Sequence, residues 1–117
     1  MKILVVEDND QIQRLLNRKL SKQGWEVHLA ANGQEGVDQA QSLKPDLILM
    51  DMHMPVMDGH EATRTLREQG YEGKIAALTA SVMAKDTEEA KKDGCDYFIP
   101  KPLEKDFIQQ IKSILDE

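Results

Sequence analysis

Five short apolar runs, each separated from the next by a segment with helical spacing, constrain this chain more than any other feature. Lys2–Val6 (KILVV) is continuously apolar and rich in branched residues, which predicts a strand buried on both faces. Glu26–Ala30 (EVHLA), Asp46–Met50 (DLILM), Lys74–Leu78 (KIAAL) and Tyr97–Ile99 (YFI) are predicted as the other strands. Between the first two, Ile12, Leu15, Leu16 and Leu20 recur at helical spacing, with Gly24 as a C-terminal stop. Gly33–Leu43 is a second predicted helix, with Val37, Ala40 and Leu43 on one side, ended by Lys44-Pro45. A third, from about His60 to Gln69, turns Ala62 and Leu66 inward, and a fourth, from about Lys85 to Lys92, is short and polar and so expected to be weakly anchored. The last buries Phe107, Ile108, Ile111, Ile114 and Leu115.

Strands alternating with helices imply an α/β domain whose parallel sheet is covered on both faces. Right-handed crossovers leave few topologies, and the doubly wound order 2-1-3-4-5 is the one expected. At 117 residues the chain is long enough for one core and too short for two, so residues 1–117 are read as a single domain. No apolar run approaches the roughly 20 residues that span a bilayer. The opening MKILVVEDND has too short an apolar stretch for a signal peptide. A single cysteine, Cys95, excludes an internal disulfide and suits a reducing cytoplasm. The net charge of −6 argues against a nucleic-acid surface, which needs a basic face.

In open parallel sheets, ligand chemistry sits beyond the carboxyl ends of the strands, where the strand order reverses. That point lies between the first and third strands. The first is followed by Glu7 and Asp8, the third by Asp51, so three carboxylates should converge. Packed together they repel, and a divalent cation would relieve the repulsion. Oxygen donors without His or Cys favour a hard ion such as Mg²⁺, which shares phosphate oxygens readily. The fourth strand leads into Thr79, whose hydroxyl can donate to a phosphoryl oxygen, and the fifth is followed by Lys101, a point charge able to reach across. Acceptor carboxylate, metal seat, hydroxyl and cation are the parts that phosphoryl transfer needs.

Each residue alone has a plainer reading. An Asp ending a strand is commonly a turn former or helix cap, and Glu7-Asp8 would be capping and solvated. Thr79 would be a strand terminator, Lys101 a surface lysine, and Pro55, Asp58 and Gly59 a turn. The functional reading rests on their joint placement, one feature at each expected strand end. His28, His53 and His60 fall in a strand, a loop and a helix start, without the spacing of a zinc site, and no P-loop or GxGxxG pattern occurs.

The motifs VVEDN (Val5–Asn9), DLILMDMHMPVMDG (Asp46–Gly59), ALTA (Ala77–Ala80) and Lys101-Pro102, in this order, closely resemble the response-regulator receiver domain of two-component signalling. The resemblance covers essentially the whole chain and implies the flavodoxin-like (βα)5 receiver fold. It implies that Glu7, Asp8, Asp51 and the backbone carbonyl of His53 hold Mg²⁺. It further implies that Asp51 takes a phosphoryl group from phosphohistidine, that Thr79 and Lys101 bind that group, and that the Lys101–Pro102 peptide is cis. Phe98 stands at the family's switch aromatic, paired with Thr79. His53 and Ser81 stand at variable positions that tune phosphoryl lifetime, and Pro100 is expected to stiffen the switch strand. The finer match, over MDMHMPVMDGHEATRTLR and ALTASVMAKDTEEAKKDGCDYFIPKP, is to receivers of hybrid sensor histidine kinases. It implies a histidine kinase or histidine phosphotransfer domain as partner and a cytoplasmic location, free-standing or within a larger membrane-bound kinase. Such a domain assists its own phosphorylation and dephosphorylation without turning over a separate substrate.

Two other classes compete. A degenerate receiver that acts only as an interaction module would lack at least one of Glu7, Asp8, Asp51, Thr79 and Lys101. A flavin-binding protein would need a loop rich in Ser, Thr and Gly after the first strand, where this chain has acids and Asn9. Docking of a partner is expected over the acceptor loops and the first helix, with Leu15 inward, Ile12 or Leu16 near the rim, and Pro102-Leu103 completing the patch.

Overall fold

The computed structural model describes residues 1–54, 57–79, 84–101 and 105–117. Pro55, Ala80, Ser81, Pro102, Leu103 and the Lys101–Pro102 peptide lie outside the described residues. The elements run β1 (Lys2–Val6), α1 (Asp10–Ser21), β2 (Glu26–Ala30), α2 (Gly33–Leu43), β3 (Leu47–Asp51), α3 (Gly59–Glu68), β4 (Lys74–Thr79), α4 (Ala84–Asp93), β5 (Tyr97–Pro100) and α5 (Phe107–Asp116). All neighbouring strands pair in parallel, in the expected order β2-β1-β3-β4-β5.

Alternate strand residues point to opposite faces, and both faces are apolar here. Leu4, Val6, Ile48, Met50, Ile75 and Ala77 pack with Val37, Ala62 and Leu66 of α2 and α3. Ile3, Val5, Leu47, Leu49, Ala76 and Leu78 pack with Leu16 and Leu20 of α1 and Phe107 and Ile111 of α5. No helix among the described residues is long and apolar enough to cross a membrane.

The strand ends differ by one residue from the sequence expectation, in the direction that matters. β3 runs to Asp51, β4 to Thr79 and β5 to Pro100, so these residues belong to the ladder instead of following it. Pro100 is tolerated because β5 is an edge strand. The helix ends follow local chemistry. Asn9 caps α1 by accepting from Ile12 N, and Asp58 caps α3 by accepting from Glu61 N. Lys44 ends α2 in the left-handed conformation, φ 49°, and Gly24 turns the chain after α1 at φ 85°.

Two expectations about helix faces need correction. Leu16 is fully buried and Ile12 is half-buried against the core, whereas half-buried Leu15, expected inward, belongs to neither core cluster. Leu15 and Leu16 are about 100° apart around the helix, and Leu20 fixes the inward face on the side of Leu16. Ile108 of α5, expected buried, is half-buried and packs against the core as Ile12 does, and Leu43 of α2 is half-buried. The expectation for α4 also fails at its C-terminal end: Ala90 and Asp93 are buried, and Asp93 is ion-paired to α3.

Candidate functional site

β1 and β3 are the central neighbours of the sheet, and α1 and α3 leave them on opposite sides. Their carboxyl ends therefore form a crevice. Glu7 and Asp8 follow β1, Asp51 closes β3, and one carboxylate oxygen from each lies within 4.8 Å of the others. Glu7 is fully buried, Asp51 is 3% exposed and Asp8 is open to solvent. The backbone holds these residues firmly. Glu7 N donates to Ala30 O at 3.0 Å, and His53 N donates to Asp51 Oδ1 at 3.1 Å.

Lys101 closes the site from β5. Its Nζ is 2.8 Å from Glu7 Oε1 and 3.2 Å from Asp51 Oδ1. Burial pushes the Glu7 pKa up, and the neighbouring Asp51 carboxylate adds to the rise, against the pull of Lys101. Burial works against the charge on Lys101, but the carboxylates of Glu7 and Asp51 outweigh it and hold its pKa above the ordinary lysine range. The ammonium thus sits as a countercharge between two buried acids.

Thr79 is the last residue of β4, one beyond Leu78, which pairs with Asp51. It is 7% exposed, and its carbonyl accepts from Lys101 N at 2.8 Å. Phe98, half-buried on β5, lines with Thr79 and His53 a cleft of about 580 Å³ between the β3–α3 loop and α4. The structure brings Glu7, Asp8, Asp51 and Lys101 together, seats His53 directly on Asp51, and sets Thr79 and Phe98 on the adjoining strands.

Several supporting residues were not singled out from the sequence. The Gln13 side chain donates to Glu7 O at 2.6 Å and to Ala30 O at 3.2 Å, tying α1 to the ends of β1 and β2. An amide in a helix has no sequence signature for this role. From the sequence, Gly59 reads only as a turn residue. A Cβ there would overlap Asp51 O and stand 2.7 Å from Met52 Cα, so the absence of a side chain is what lets α3 start against the acceptor strand.

Comparison with known proteins adds the following. The family model for the response regulator receiver domain matches residues 3–112. Hybrid signal transduction histidine kinase G of Dictyostelium discoideum is 43% identical over 109 residues, which are 89% of this chain and 3% of that protein. The polar-differentiation response regulator DivK of Brucella anthropi is 36% identical over 118 residues, 98% of this chain and 96% of that protein. The receiver domain of sensor histidine kinase PA1611 from Pseudomonas aeruginosa, solved with magnesium in its active-site cleft, superimposes with a TM-score of 0.89 at 34% identity, covering 99% of this chain and 98% of that one. The receiver domain of Ssk1 in complex with the histidine phosphotransfer protein Ypd1 of Saccharomyces cerevisiae matches with a TM-score of 0.89 at 30% identity, covering 98% of this chain and 86% of that one.

Proposed function

This chain belongs to the response regulator receiver domain family of two-component signalling, and from that premise we propose that it is a phosphoacceptor, with Asp51 taking the phosphoryl group from a phosphohistidine. The observation that carries this reading is the convergence of Asp51 with Glu7, Asp8 and the Lys101 ammonium at the carboxyl edge of the sheet. An Asp51 oxygen attacks phosphorus as the P–N bond of the donor breaks, and the departing imidazole takes up a proton. Lys101 is within reach of the transferred oxygens because it already contacts Asp51. Thr79 offers a hydroxyl from β4. Burial of Glu7 and Asp51 strengthens each of these interactions by excluding water.

Glu7, Asp8 and Asp51, with the His53 carbonyl, are oxygen donors suited to Mg²⁺. When bound, that ion supplies positive charge to the transferred oxygens. Intact mass after incubation with Mg²⁺ and acetyl phosphate tests the assignment. One phosphoryl group should appear on the native protein and none on Asp51→Asn. A full mass gain on that variant would reject Asp51 as the acceptor.

Mg²⁺ should also raise the melting temperature, because it binds the folded cluster and not the dispersed carboxylates of the unfolded chain. Asp8→Ala should erase the increment. A shift of the same size in Asp8→Ala would place the ion elsewhere.

The same reading makes Thr79 and Phe98 the switch pair, with the Thr79 hydroxyl drawn to the phosphoryl group and Phe98 turning into the space released. Ser81, the other position tied to phosphoryl lifetime, lies outside the described residues. The partner is a histidine kinase or a histidine phosphotransfer domain, whose histidine must reach Asp51 in line. Among the apolar residues of α1, half-buried Leu15 is the one available to such a partner, in place of Ile12 or Leu16. A place in the cytoplasm, alone or within a hybrid kinase, fits this role.

A further inference from the structure

We propose that the cleft between the β3–α3 loop and α4 is a second cation site, which takes a borderline divalent metal such as Zn²⁺ through the imidazoles of His53 and His60. The proposal does not rest on the phosphoacceptor reading, since the donors are nitrogens and the residues that carry it lie outside the acidic cluster.

His60 is held as metal-binding histidines are held. Its Nδ1 lies against Oδ2 of Asp93, and Arg64 Nη1 contacts the other Asp93 oxygen at 2.8 Å. A carboxylate has no hydrogen to give, so Nδ1 is the donor, and Nε2 is the nitrogen left to bind a metal. Asp93 is itself 8% exposed, so the ring is oriented by an acid that is fixed in turn. An imidazole positioned through its second nitrogen by a carboxylate is the usual outer arrangement of zinc sites.

His53 faces this ring edge-on, with centroids 6.4 Å apart and the planes at 68°. Two imidazoles on one tetrahedral Zn²⁺, with bonds of about 2.0–2.1 Å, hold their centres roughly 5 Å apart. The required approach is roughly 1 Å, and the exposed His53 side chain is free to make it. Both rings line the cleft of about 580 Å³, together with Asp58, Asp86 and Glu89. None of the described residues lining it is Lys or Arg, so the cleft favours a cation. Asp58 is engaged in capping α3. Asp86 and Glu89, three apart on α4, line the same cleft and are the carboxylates offered as further ligands. Mixed imidazole and carboxylate donors select Zn²⁺ over Mg²⁺. An ion pair that merely ties α3 to α4 would account for Asp93 but not for a second imidazole set beside His60 in an acidic cleft.

The test is calorimetric titration with Zn²⁺ of the Asp8→Ala/Asp51→Asn protein, in which the acidic cluster is dismantled. One Zn²⁺ per chain is expected, and Co²⁺ in its place should give the visible absorption of a tetrahedral site. His53→Gln and His60→Gln should each weaken binding tenfold or more. Asp93→Asn keeps both imidazoles and should weaken it by about 10–100-fold. Should His60→Gln fail to fold, exposed His53 still decides the matter. Loss of Zn²⁺ binding in the double variant, or undiminished affinity in His53→Gln, overturns the proposal.

Discussion

Arg67→Ala is expected to lower the unfolding free energy by about 3 kcal/mol and the melting temperature by about 10 °C. Arg67 leaves α3 near its C-terminal end and spends its whole guanidinium on two loops. Nε and Nη2 donate to Gly94 O at 3.1 and 2.9 Å, and Nη1 donates to Tyr71 O and Gly73 O at 2.8 and 2.9 Å. Nη2 also reaches Asp96 Oδ2 at 2.9 Å, the oxygen that accepts from Ile75 N at the start of β4. One side chain thus joins α3, the α3–β4 turn and the α4–β5 turn. Exposed ion pairs contribute little, but the Arg67 side chain is only 24% exposed, and three carbonyls depend on it. Truncation leaves those carbonyls to water that reaches them imperfectly. Arg67→Lys should recover only part of the loss, because a single ammonium cannot span the fork. Urea unfolding measures both variants. An unfolding free energy for Arg67→Ala within about 0.5 kcal/mol of the native value would show that the loops hold themselves.

That hub illustrates what the sequence conceals. The sheet order was legible because five apolar runs alternate with amphipathic segments, and right-handed crossovers then permit few arrangements. The acidic site was legible for the same reason: strand ends in a parallel sheet converge, and Glu7, Asp8 and Asp51 stand at the reversal of strand order. Arg67 was not, since its partners are mostly carbonyl oxygens, which every residue carries. The His60–Asp93 contact joins residues 33 apart through side chains that look solvated in sequence. Leu15 and Leu16 show a third limit. Helical spacing identifies a helix, but adjacent apolar residues leave its rotation open by one residue, and only packing against the sheet selects Leu16. The two glycines closest to the acceptor loop carry the least signal of all. Gly33 of α2 and Gly59 of α3 are there for what they lack, close approach to Met57 O and Asp51 O respectively.

Gly59→Ala is therefore expected to slow phosphorylation of Asp51 on the order of 100-fold. Two effects oppose each other at this position. In an open helix, alanine is preferred over glycine by about 1 kcal/mol, so propensity alone predicts a more stable protein. Packing predicts the reverse. The new Cβ would overlap Asp51 O and press on Met52 Cα at 2.7 Å, and neither is the end of a flexible side chain that could turn aside. Either α3 retreats or the end of β3 bends, and both move the Asp51 carboxylate relative to Glu7, Asp8 and Lys101. Displacing a reacting group by about 1 Å costs on the order of 100-fold in rate, so the clash should dominate the kinetics even if the net change in stability is small. Gly70→Ala is the control. Gly70 has open space around it but a φ of 91°, so alanine there should cost stability through backbone strain without touching the rate. The measurement is the initial rate of phosphorylation by acetyl phosphate at saturating Mg²⁺, beside a thermal melt of each variant. Wild-type kinetics in Gly59→Ala would mean that the contact between α3 and β3 does not set the position of the acceptor.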